Sequence, residues 1–83
     1  MTIYKLFYSL EKLGVLDVLT EVDILNAGKC ASYERYCYYL KLRSTTLETK
    51  KYYLVVDVSN HFDVAVKTIY HDIHIMEKEI IVL

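Results

Sequence analysis

The stretch Val58-Ser59-Asn60-His61-Phe62-Asp63-Val64-Ala65-Val66-Lys67-Thr68-Ile69-Tyr70-His71-Asp72-Ile73 constrains the fold more than any other part of the chain. Apolar residues recur at three and four up to Phe62, break at Asp63, and resume through Val66, Ile69 and Ile73. The pattern predicts one helix ending, a three-residue turn, and a second helix starting almost at once. The rest of the chain then serves as scaffold or as partner surface.

Composition bounds that scaffold. Eighty-three residues make one small domain with a single core. A hydrophobic content of 54 %, with no proline and only Gly14 and Gly28, excludes a disordered or loop-rich chain. No apolar run approaches the ~20 residues of a membrane span, and the start lacks a basic region followed by an apolar signal stretch. A cytoplasmic protein with no membrane partner is expected. On a helix, Cys30 and Cys37 are roughly 10.5 Å apart along the axis. That exceeds the ~7 Å limit for a disulfide, so both are expected as reduced, buried thiols.

Ile3, Leu6, Phe7, Leu10 and Leu13 share one helical face, and Gly14 is placed to stop that helix. Val15, Val18, Leu19, Val22 and Leu25 follow as a short helix, or as a turn and a helix begun by Thr20 and Asp23. Asn26 and Gly28 close it. From Lys29 to Arg43 a stripe holds Cys30, Tyr33, Cys37 and Leu40, with Tyr36 beside it. Ser44-Thr45-Thr46 interrupts the pattern. Thr45 and Glu48 have capping-box spacing and mark a helix through Leu47, Leu54, Val55, Val58 and Phe62. Tyr53-Leu54-Val55-Val56 favours a strand, but the cap and the apolar repeat favour helix. The last helix runs from about Val66 and buries Ile69, Ile73 and Met76, with Ile80 a further candidate. Ile80 to Leu83 could instead form one strand.

The expectation is an all-α compact bundle of four or five helices, in one domain spanning 1–83. Residues 1–43 form a scaffold and oligomerisation part, and 45–79 the two-helix motif. Val58, Phe62, Val64, Ile69, Ile73 and Met76 share its core.

Residues 66–73 resemble the recognition helix of helix-turn-helix regulators, in particular the DeoR-like group. That group's pattern is a small residue, two variable positions, Leu, Gly, Val, Ser, two variable positions, then Thr-Ile-Tyr-Arg-Asp-Ile. Ser59 takes the small-residue place, and Asp63 stands for the glycine, as one of the few other types that tolerate a left-handed backbone. Val64 supplies the buried aliphatic. Ala65 replaces the usual capping Ser or Thr, which weakens the cap by about 0.5–2 kcal/mol. Thr68, Ile69, Tyr70, Asp72 and Ile73 match directly, and His71 replaces Arg. The likeness does not reach residues 1–45. Too few residues follow for a two-stranded hairpin, so the wing is absent or truncated.

The resemblance implies a small DNA-binding transcriptional regulator, of the compact kind common in bacterial and phage genomes, acting on duplex DNA as a homodimer. With Ile69 and Ile73 inward, Val66, Lys67, Tyr70, His71 and His74 lie on the reading face. Lys67 suits guanine acceptors or a phosphate, Tyr70 a phosphate or a thymine methyl, and Val66 a thymine methyl. Thr46, Lys50 and Lys51, beside Thr45, are expected at the preceding helix start, where amides, hydroxyls and cations meet a phosphate. Histidines gain charge towards pH 6, so binding through His71 and His74 is expected to tighten as the pH falls from about 7.5.

The charge balance opposes tight binding. From Ser44 onward Lys50, Lys51, Lys67 and Lys78 face Glu48, Asp57, Asp63, Asp72, Glu77 and Glu79. The rival reading is therefore a non-enzymatic interaction module built on a degenerate motif. Tyr33, Tyr36 and Tyr39, with Tyr38, read as half core and half partner interface, a homodimer seam, more than as a base-stacking surface. His71, His74 and His61 have no Cys-x-x-Cys pair or near carboxylate to complete a metal site, so no metal or other cofactor is expected. No Gly-rich phosphate loop, nucleophile elbow or paired carboxylates suggest an enzyme or a small-molecule substrate. Asp17, Asp23, Asp57 and Asp72 read as caps or surface.

Overall fold

A computed structural model describes residues 1–14, 27–47 and 50–79 and places four helices among them: α1 Ile3–Lys12, α2 Ala27–Thr45, α3 Lys51–Phe62 and α4 Val66–Met76. The all-α bundle is as the periodicity predicts. The apolar set Val15 to Leu25, the acids Asp17 and Asp23, and the Ile80–Leu83 ending lie outside the described residues. No described helix is long and apolar enough to cross a membrane.

Helix α1 starts where Thr2 Oγ1 accepts the Lys5 amide at 3.1 Å. It stops at Gly14, whose φ of +75° suits a residue without a side chain. Phe7 is its buried anchor, with Ile3 and Tyr4 packed alongside. Leu13, expected inward, is 74 % exposed because the helix ends there and its face no longer meets the bundle. Antiparallel pairing of Thr2 with Glu79, and the Ile3 amide on the Lys78 carbonyl at 3.0 Å, tie α1 to the end of α4.

Helix α2 begins before Gly28, which does not close a preceding element as expected. It also runs through Thr45. The Thr45 hydroxyl donates back to the Lys41 carbonyl at 2.9 Å, as does Ser44 at 2.9 Å, so neither starts the next helix. The expected capping box is thereby corrected: α3 starts at Lys51 after Lys50, with no side-chain cap, and Glu48 lies outside the described residues. Leu47, assigned to that helix core, is 99 % exposed. The β-favouring run Tyr53 to Val56 is helical, with Leu54 and Val55 buried in the core.

Tyr33, Tyr36 and Tyr39 are not a dimer interface. All three are buried in the chain's own core with Phe7, Leu54, Val55, Val58, Ile69, Ile73 and Met76. Their i, i+3, i+6 spacing puts them on the inward side of α2, where Tyr4 meets Tyr36 edge-on at 5.1 Å and Phe7 meets Tyr33 at 5.4 Å. The Tyr36 hydroxyl donates to Glu77 Oε2 at 2.9 Å. The Tyr33 hydroxyl has no oxygen or nitrogen partner among the described residues and lies beside the Cys37 thiol, a weak partner. Cys30 and Cys37 are half-buried and not joined in a disulfide, and burial pushes the Cys37 thiol up.

Burial is also the main reason the Tyr33 and Tyr36 phenols hold their protons above the usual value. The folded chain binds these protons more tightly than the unfolded chain. Stability from them is intact below about pH 10 and is lost as the pH rises beyond it. Helicity followed upward from about pH 9 should therefore collapse in the same transition that completes phenolate absorbance. Full ionisation of all nine tyrosines with helicity intact would show Tyr33 and Tyr36 to be exposed.

Candidate nucleic-acid interface

The connection between α3 and α4 is the local feature on which the site depends. Asp63 closes α3 at φ 54°, ψ 49°, in the left-handed region, and the Val64 amide returns to the Ser59 carbonyl at 3.0 Å. Ser59 is buried, its hydroxyl donating to the Val56 carbonyl at 2.8 Å. Phe62 and Val64 pack against the core on either side of the turn. Ala65 then holds the extended conformation of a helix cap with no side chain to fill the role. These are the geometries that the residues of the turn predict.

Helix α4 divides as its spacing predicts. Ile69, Ile73 and Met76 are buried, while Lys67, Tyr70, His71 and His74 are exposed; Asp72, which the spacing does not place inward, is buried beside the apolar set. Val66 is corrected: it is half-buried against the core, because the first turn leans on the bundle. Lys67, Thr68 and His71 line an open hollow of about 400 Å³. Across from it, Lys51 Nζ lies 5.8 Å from the centre of the Tyr70 ring, and Lys50 Nζ 5.7 Å from that of Tyr53. The tertiary structure thus joins the start of α3 to the outer face of α4. Thr46 is corrected too, since it follows the end of α2 and is half-buried.

Asp72 departs furthest from the sequence expectation of a cap or surface residue, because the fold buries it. Its side chain is 1 % exposed and receives Arg35 through two hydrogen bonds, Nε to Oδ2 at 2.5 Å and Nη2 to Oδ1 at 3.1 Å. Hydrogen bonding to Asp72 is the main reason the Arg35 guanidinium holds its proton above the ordinary value. One signal could have located the pair. An aspartate inside the Ile69, Ile73 and Met76 stripe requires a cation from another element, and Arg35 sits among the inward tyrosines of α2.

The same contacts change the charge reading. Asp72 is neutralised by Arg35, Glu77 accepts from Tyr36, and Glu79 meets the amino terminus at 3.0 Å. Asp57 and Asp63 remain exposed. His61 stacks on Tyr38 at 4.1 Å, with the rings 12° from parallel. No group of three or more potential metal ligands occurs among the described residues. No family model, curated protein or solved structure matches the chain.

The turn yields one stability prediction. Ala65 already has the backbone of a helix cap, with φ −67° and ψ 149°. Ala65→Ser should therefore raise the unfolding free energy by about 0.5–2 kcal/mol. Denaturant titration checks this, and an unchanged midpoint would mean that the α4 amides already have partners.

Proposed function

We propose that this domain binds duplex DNA as a small helix-turn-helix regulator, with α4 as the reading helix. The observation that carries the reading is the joining of Lys51 to Tyr70. It extends the exposed Lys67, Tyr70, His71 and His74 face into a cationic helix start. The left-handed Asp63 turn and the DeoR-like run Thr68 to Ile73 support it. Lys67 and Tyr70 contact base edges, and Lys50 and Lys51 contact phosphates on the flank. Pairing Asp72 with Arg35 and Glu79 with the amino terminus lessens the repulsion that a count of charges implies. So small a contact set favours two copies on adjacent half-sites, with cytoplasmic DNA as the target.

The second reading, a protein-interaction module, draws on the exposed Leu47, Tyr52 and Tyr53. Mobility shifts across a salt series separate the two. Binding that weakens steeply from low to physiological salt supports the first, whereas no shift with any duplex at low salt overturns it.

Within a demonstrated complex, Lys67→Ala and Tyr70→Ala should each lower specific affinity by about 1–3 kcal/mol. Melting should change little, since both side chains reach solvent, Tyr70 at 38 % exposure. Specific affinity unchanged in both variants would remove α4 as the reading helix. Lys50→Ala should weaken binding to all duplexes alike and reduce the salt slope by about 1, the mark of a phosphate contact. A loss confined to one sequence would assign Lys50 to base contact instead.

A further inference from the structure

We infer that Arg35 is a positioning residue for the reading face: its fork on Asp72 sets the rotation of α4 about its own axis. The inference rests on the proposed DNA-binding role, although its geometry stands without it. Asp72 lies inside the buried stripe of Ile69, Ile73 and Met76, and Tyr70 and His74 lie two residues to either side of it, on the outer face. Apolar side chains of suitable size pack in several neighbouring arrangements, and uniqueness is lost before stability is. A guanidinium engaging both oxygens of one carboxylate is far more exacting, because both hydrogen bonds need one direction of approach.

The magnitudes make orientation the interesting quantity. At a side-chain radius of roughly 5–6 Å, turning a helix by about 30° moves each tip by about 3 Å. That is a full hydrogen-bond length, enough to break base contacts while leaving a cation near the phosphates. The fork joins α2 to α4, the pair of helices that shares the tyrosine core. The Lys51–Tyr70 contact across the α3–α4 surface reports the resulting rotation.

The test replaces the pair by apolar residues in the double variant Arg35→Met with Asp72→Leu, which leaves no buried charge unpaired. Arg35→Lys, which keeps the charge and removes the fork, is the second variant. The probes are a duplex recovered by the native protein from a random pool and a shuffled duplex of equal composition. Both variants should keep the helical signal and a cooperative melt. Their preference for the recovered duplex should fall roughly tenfold or more, with shuffled-duplex affinity and its salt slope retained. Without DNA, the ring-shifted nuclear magnetic resonance signals of the Lys51 side chain should move towards random-coil positions. Either folded variant that keeps both the Lys51 shift and the native preference overturns the inference. If the native protein recovers no duplex from the pool, the DNA reading falls, and the Lys51 signal alone decides the positioning role.

Discussion

A carboxylate removed from water depends on its counter-charge, and Asp72 makes the other helices answer to α4. Burying an isolated carboxylate costs far more than one side chain's packing returns, so the cation must arrive with the fold. Arg35 brings α2 with it. Apolar burial on the inner face of α4, worth about 1.5–3 kcal/mol for a side chain such as Ile69, Ile73 or Met76, supplies the attraction. The ion pair adds direction more than strength, since its desolvation offsets much of its Coulombic gain.

Around that contact the local elements are weakly specified. Helices α3 and α4 both begin without a side-chain cap, and the turn between them places an aspartate at positive φ. Each feature is a modest local cost, on the order of 1 kcal/mol. Tertiary burial of Val55, Val58, Ile69 and Met76 outweighs them. The first turn of α4 is left with amides that no side chain caps, next to the hollow at Lys67, Thr68 and His71.

The electrostatic character of the outer face follows from the same packing. A linear count sets six acids against four lysines after Ser44. In three dimensions Asp72 pairs with Arg35 from far earlier in the chain, while Glu77 and Glu79 are engaged by Tyr36 and the amino terminus. Lys51 and Tyr70 come together from different helices. Charge per segment is therefore a poor measure of the field that a partner meets.

The sequence by itself determined the helical class, the stop at Gly14, the left-handed turn at Asp63, and the apolar inward stripe of α4. Each follows from local rules: apolar spacing against 3.6 residues per turn, and backbone preferences of single residues. Only the tertiary structure decided what the inward sides meet. Tyr33, Tyr36 and Tyr39 suit a partner surface and a core equally well by pattern, and the fold spent them on its own core. Thr45 could begin one helix or end another, and its hydroxyl went to the nearer carbonyl of Lys41. Asp72 became a buried ion because Arg35, 37 residues away in sequence, reached it. Spacing encodes which side of a helix is apolar, but the partner of a buried group is a nonlocal choice, made when the helices pack.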